Sequence, residues 1–179
     1  MHQEATVCHL LRGDGPKTET LLGERKSRFC NGVLNGPGGK FNPDETALQC
    51  LCREVEEEIG VVVDPISAKH YASADFYHPV AEGYYAHKWR VHYFTATRWR
   101  GEPRPLAGFV NLQWFFIGKL PFDRMMSDQR LWLPAALPLR ENGQLMELEI
   151  FYGDGGLRTV GRWVFRLVEK SKFVKSGVT

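Results

Sequence analysis

Three glutamates, Glu54, Glu57 and Glu58, stand at i, i+3 and i+4, a spacing that places side chains on one helical face about one turn long. Arg53 precedes them. The stretch from Asp44 to Glu58 sets six carboxylates (Asp44, Glu45, Glu54, Glu56, Glu57, Glu58) against that one basic residue. Like charges at i, i+4 repel by roughly 0.2 to 0.5 kcal/mol a pair, so such a face is mildly self-destabilising until cations bind it. Hard divalent cations take oxygen ligands, and Mg²⁺ in particular combines one or two carboxylates with substrate phosphates. For three glutamates alone, a solvated surface helix is the plain alternative.

The flanking residues specify more. Asn42, Pro43, Asp44 and Glu45 predict an N-cap, a proline at the first helical position and a carboxylate at the third, and Gly60 predicts the C-terminal stop. Between these signals Leu48, Leu51, Cys52, Val55 and Ile59 recur at steps of three and four, an apolar stripe that must face a core. From Gly39 the chain runs glycine, five residues, Glu45, seven residues, then Arg53-Glu54-Val55-x-Glu57-Glu58-x-Gly60-Val61. This matches the Nudix box at every specified position, and nine fixed or class-restricted positions rarely coincide.

The resemblance to Nudix hydrolases implies a loop-helix-loop holding Mg²⁺ or Mn²⁺ against a diphosphate. It implies a metal set of Glu54, Glu57, Glu58 and the Gly38 carbonyl, and a catalytic set of Arg53, Glu54, Glu57 and Glu58. Arg53 would orient one of the glutamates and Glu45 would pair near the helix start. Water would attack phosphorus, with the metal serving as Lewis acid, water activator and clamp.

A chain of 179 residues suffices for one domain with a sizeable core, so residues 1–179 are expected to form a single unit. Hydrophobic content of 43% and charged content of 25% are those of a globular protein rather than a disordered one. A net charge of +2 argues for neither stable nucleic-acid binding nor a membrane partner. No stretch of 18 apolar residues or leader-like segment occurs, which suggests a cytoplasmic location; the oligomeric state is left open. The four cysteines lack a zinc-like spacing and are expected to be reduced thiols, with Cys52 on the buried stripe.

Strands are expected at 5–12, 18–25, 61–63, 67–77, 84–98, 112–117, 144–152 and 157–168, with a second helical region from Pro121 to about Arg140. Trp89, Val91, Tyr93 and Thr95 alternate with Lys88, Arg90 and His92, which predicts one wet side on that strand. The segment from Arg25 to Lys40 carries four cations and suits a loop around a polyanion. Residues 169–179 read as a basic, loose tail. The expected class is α/β: a mixed sheet sandwiched between helices, which is also the fold that the resemblance implies.

Within the family the chain is most similar to the branch that hydrolyses oxidised purine nucleoside triphosphates such as 8-oxo-dGTP. The similarity is carried by Leu21-Leu22-Gly23 through Phe29 and Asn35-Gly36 to Gly38-Gly39-Lys40, and by Trp114-Phe115 through Asp128, Trp132 and Pro134. It implies that Asn35 and Asp128 meet the base edge and Phe29 lines the base pocket; Arg25 is a candidate phosphate contact from its place in the basic loop. From the residues alone, Asn35 before Gly36 equally reads as a turn former. Three departures stand out. Met126 replaces a stacking tryptophan, Gln129 replaces a second aspartate, and Phe109 occupies the region where the branch carries a further glutamate, for which Glu102 is the nearest substitute. Carboxylate pairs trade a proton and accept alternative purine edges, whereas an aspartate beside an amide does not.

The leading expectation is a metal-dependent nucleoside triphosphate pyrophosphohydrolase acting on a small-molecule nucleotide. The alternatives are hydrolysis of another nucleoside diphosphate derivative, such as ADP-ribose or a dinucleoside polyphosphate, and a non-catalytic nucleotide sensor.

Overall fold

A computed structural model describes residues 3–26, 31–153 and 160–169. Along the chain these form β1 (Gln3–Arg12), β2 (Glu19–Arg25), β3 (Leu34–Asn35), α1 (Ala47–Ile59), β4 (Val62–Val63), β5 (Lys69–Ala81), β6 (Tyr84–Ala96), β7 (Trp99–Arg100), β8 (Phe109–Phe116), α2 (Gln129–Ala136), β9 (Gln144–Tyr152) and β10 (Val160–Glu169). The main sheet has the order β10-β9-β5-β6-β1-β2-β3, with β8 also paired to β2, and β4 pairs β7 separately. The β1–β6 and β5–β9 pairs are parallel and their neighbours antiparallel, so the sheet is mixed.

Alternation along the central strands builds two cores. On β1 and β6, Val7 and Tyr93 face one side with Trp132, Leu133 and Ala136 of α2. Cys8, Leu10, Phe94 and Ala96 face the other with Leu51, Val55 and Ile59 of α1. The helices therefore lie on opposite faces, as the patterning required. Leu51, Val55 and Ile59 are fully buried, and each contributes about 1.5 to 3 kcal/mol by leaving water. Among the tryptophans, Trp132 is buried and Trp89, Trp114 and Trp163 pack partly buried against the cores.

Three expectations are corrected. β6 does not keep a wet side throughout, because α1 covers Phe94 and Ala96. Helix α1 starts at Ala47 rather than Pro43. Asp44 has φ 63°, which interrupts any helix begun at Asn42, and Thr46 forms a capping box with Gln49 instead. Helix α2 starts at Gln129, since Pro121–Asp128 is spent in turns closed by Arg124 N–H on the Pro121 carbonyl and Gln129 N–H on the Met126 carbonyl. Cys52, expected on the buried stripe, is half-buried, whereas Cys50, outside that stripe, is fully buried, and Cys8, Cys50 and Cys52 are free thiols. The predicted strand residues 157–159 and the tail from 170 lie outside the described residues. Among the described residues no helix is long and apolar enough to cross a membrane.

His9 is fully buried on β1, with Nδ1 2.8 Å from the Tyr71 hydroxyl and Nε2 without a hydrogen-bond partner among the described residues. Burial pushes its imidazole down from 6.5 to about 4. Between those values the unfolded chain binds a proton at this residue that the folded chain does not, so the His9 contribution to stability falls as pH drops through that window and is constant above it. Urea unfolding at pH 7 and pH 5 is expected to show the wild type losing about 2 kcal/mol more than His9→Gln over that interval.

Candidate active site

The C-terminal half of α1 presents its glutamates to two arginines. Arg53 pairs bidentately with Glu45, Nε to Oε1 and Nη2 to Oε2, both at 2.8 Å. Its Nη1 donates to Glu54 Oε1 at 2.8 Å and to Glu57 Oε2 at 3.1 Å, and Nη2 also donates to the Lys40 carbonyl at 3.0 Å. One planar fork thus ties the loop before the helix to two of its glutamates. The hydrogen bonds to Arg53 hold the Glu45 carboxyl down at about 2, and the same pairing raises the guanidinium above its ordinary value. Glu45 is free to do this because the helix starts after it; its carboxylate also accepts from Asn42 N–H at 2.9 Å.

Segment 36–41 runs along β1 as a rail. Cys8 N–H donates to the Pro37 carbonyl at 2.7 Å, Thr6 N–H to the Gly39 carbonyl at 2.8 Å and Phe41 N–H to the Glu4 carbonyl at 3.1 Å. Gly38 has φ 151°, and a Cβ there would lie 2.1 Å from the Thr6 carbonyl oxygen. At Gly39 a Cβ would lie 2.3 Å from the Glu54 carboxyl carbon, so its bare α-carbon is the cradle in which that carboxylate sits. Neighbouring glycines therefore serve different ends, one letting the backbone pass β1 and one admitting a side chain.

Glu58 is buried against the same segment. Its Oε2 accepts from Gly38 N–H at 2.7 Å and its Oε1 lies 3.5 Å from Arg25 Nη2. Burial pushes the Glu58 carboxyl up to about 7, opposed by the Gly38 N–H and Arg25. Among the described residues no three acidic, histidine or cysteine side chains converge as a metal cage: Arg53 draws Glu54 and Glu57 together while Glu58 is turned to Gly38. The donors themselves, carboxylate oxygens beside a backbone carbonyl, are those a hard divalent cation takes, and Gly39 seats the Glu54 carboxylate without a Cβ in its way. The residues present fit such an ion.

At the other end of the rail lies a second polar group. Asn35 ends β3, three residues before Gly38, which limits their separation to roughly 10 Å. Asn35, Asp128 and Gln129 are all buried. Asn35 Oδ1 accepts from Gly36 N–H at 3.0 Å and lies 3.4 Å from Gln129 Nε2. Asp128 accepts from Trp132 Nε1 at 2.8 Å and from the Tyr152 hydroxyl at 3.0 Å; burial raises its carboxyl, against those two bonds. Gln129 Oε1 is buried without a partner among the described residues, an acceptor left for something else. Met126 is half-buried in the turn before α2. Phe29 lies outside the described residues.

The structure therefore brings Arg53, Glu54 and Glu57 together, sets Glu58 with Arg25 and Gly38, and gathers Asn35, Asp128 and Gln129 apart from both. Sequence reasoning missed two supports. Trp132 is four residues after Asp128, a spacing that signals contact on a helix, but Tyr152 comes from β9 with no local signal. Phe109 is buried and its ring lies 5.3 Å from Arg25 Cζ. Glu102 is exposed beside Gly101, which packs on the Gly60 carbonyl past the end of α1. No hydrogen bond or ion pair joins it to the glutamate face among the described residues.

The chain is similar to known proteins. The NUDIX domain model matches residues 1–136. The oxidized purine nucleoside triphosphate hydrolase of Danio rerio is 37% identical over 117 residues, 65% of this chain and 70% of its own length. That of Mus musculus is 32% identical over the same shares of both chains. Among solved structures, a mutator MutT protein from Bacillus halodurans superposes with a TM-score of 0.70 at 21% identity, covering 91% of this chain and 97% of that one, a likeness of fold. With the family model spanning most of the chain and the arginine-locked glutamate helix in place, this protein belongs to the Nudix hydrolase family.

Proposed function

We propose that the protein is a divalent-metal-dependent nucleoside triphosphate pyrophosphohydrolase that cleaves oxidised purine nucleotides, such as 8-oxo-dGTP, to the monophosphate and pyrophosphate. The observation that carries this reading is the short rail joining two unlike sites, a glutamate face locked by Arg53 and a buried group of Asn35, Asp128 and Gln129. A nucleotide has the same two ends, polyphosphate and base. The names of the two fish and mouse relatives point to the same substrate class.

Glu54, Glu57, Glu58 and the Gly38 carbonyl would hold Mg²⁺ or Mn²⁺, which would supply Lewis acidity and activation of water. Arg53 fixes Glu54 and Glu57 so that little reorganisation remains when charge develops at phosphorus. Arg25 lies beside Glu58 and suits the phosphates. At the base end Asn35, Asp128 and Gln129 read the polar edge, and Met126 and Phe29 supply apolar contact. Gln129 cannot exchange a proton with Asp128, so the pair reads a narrower set of edges than two carboxylates.

Rates of pyrophosphate release from 8-oxo-dGTP and 2-hydroxy-dATP, compared with dGTP and with the hydrolysis of ADP-ribose, test the reading, with Mg²⁺ and with a chelator. At least tenfold preference in kcat/KM for an oxidised nucleotide over dGTP, about 1.4 kcal/mol, is expected. Equal cleavage of dGTP or ADP-ribose would overturn the base assignment and leave the metal chemistry standing. Met126 and Gln129, the two departures in the base site, leave ADP-ribose or a dinucleoside polyphosphate open as the second reading.

A further inference from the structure

Arg25, at the end of β2, sits against two of the four oxygen donors assigned above to a cation. Its Nη2 donates to the Gly38 carbonyl at 3.1 Å and lies 3.5 Å from Glu58 Oε1. The guanidinium rests 5.3 Å from the centroid of Phe109, and its side chain is only 24% exposed. Phe109 offers a face and no charge, so no carboxylate there competes with Glu58 for this arginine. A guanidinium is permanently positive and addresses oxygen ligands as a cation does.

We propose that Arg25 is a resident stand-in for a divalent cation. It neutralises Glu58 and engages the Gly38 carbonyl in the metal-free protein, and it gives up both when the ion arrives together with a polyphosphate. This rests on the metal role proposed for those groups. The hold is built to be released. The contact to Glu58 is at the limit of hydrogen-bonding distance, and Arg25 Nε is buried with no partner among the described residues. Phosphate oxygens satisfy the fork bidentately, which the present seat does not. Metal without nucleotide must compete with Arg25 for two of its four donors, whereas metal with nucleotide finds Arg25 drawn to the phosphates. Binding of ion and substrate is thereby coupled, and the bare enzyme is kept from holding metal tightly.

The test is Mn²⁺ binding to the nucleotide-free protein, read from the free-ion paramagnetic resonance signal, with thermal unfolding measured on the same samples. Arg25→Gln is expected to bind Mn²⁺ at least tenfold more tightly than the wild type, and a further Glu54→Gln change should abolish the gain. Lys26→Gln, which removes the same charge one residue away, should stay within twofold. Equal or weaker binding by Arg25→Gln overturns the proposal, and so does an equal gain in Lys26→Gln, which would show a general field and not an occupied seat. Should Arg25→Gln fail to fold, Arg25→Lys carries the test: it keeps the charge without the fork, so binding at least twofold tighter supports the proposal and unchanged binding overturns it. Folded protein that takes up no Mn²⁺ with or without Arg25 overturns the metal reading itself, and this inference with it.

Discussion

Glu57→Gln is expected to lower kcat about a thousandfold, roughly 4 kcal/mol of transition-state stabilisation, while the protein keeps its fold. Glu57 is the most exposed of the three glutamates, with a side chain 56% accessible, so no buried group is orphaned by the change. Its contact with Arg53 is one of several that the guanidinium makes, and an amide oxygen can still accept that bond. What is lost is a negative charge on the glutamate face proposed to hold the metal. A single-turnover rate measured beside a thermal unfolding curve checks both halves of the expectation. Unchanged unfolding with unchanged rate would remove Glu57 from the catalytic set. Absence of turnover in the wild type, with every oxidised nucleotide tried, would bring the nucleotide-sensor reading forward.

The adjacent glycines should fail in opposite ways when each is changed to alanine. At Gly38 a Cβ would meet the Thr6 carbonyl oxygen at 2.1 Å on backbone at φ 151°. Neither the strand nor the glycine can yield without breaking the rail, so a loss of about 3 kcal/mol or more in stability is expected. At Gly39 the atom encountered is the end of a flexible glutamate, which can swing away at little structural cost. Gly39→Ala should therefore unfold within about 1 kcal/mol of the wild type, yet with Glu54 pushed from its cradle it should lose about a hundredfold or more in kcat. Urea unfolding and steady-state kinetics on the two variants separate the roles; similar stability losses in both would refute the assignment of Gly39 to Glu54.

The apolar stripe of α1 was legible because periodicity reports burial directly, and the two-faced sandwich follows once two helices must share one sheet. The start of α1 was less legible. Asn42-Pro43 and Thr46-x-x-Gln49 are competing local start signals four residues apart, and the contest is decided by the left-handed backbone of Asp44. The outcome matters to the site, since a helix begun at Pro43 would carry Glu45 inside its first turn. The start of α2 was misplaced for a similar reason: Pro121 and Phe122 suit a first helical turn, but the chain first closes turns that set Asp128 and Gln129 inward. Contacts such as Arg25 with Glu58, 33 residues apart, leave no trace in spacing, because only the sheet brings them together. Of the residues expected to touch a base, Asn35, Asp128 and Gln129 are gathered by the fold, although nothing in their separate surroundings announces it.

The topology also sets an order of events during synthesis. β5 lies inside the sheet, yet its parallel partner β9 begins more than 70 residues after β5 starts, and β1 waits as long for β6. Such distant pairings close large loops before they gain contacts, so folding should fall toward the slower, millisecond-to-second end of the range for small domains. Tyr152, the last residue of β9, is the partner of Asp128. A nascent chain that has emerged only as far as α2 holds the complete glutamate helix but leaves that carboxylate without one of its two donors and the edge of β5 open. The polyphosphate end can thus take shape on the ribosome before the base end does, and the exposed β5 edge in that interval is where a chaperone or a second nascent chain would find its template.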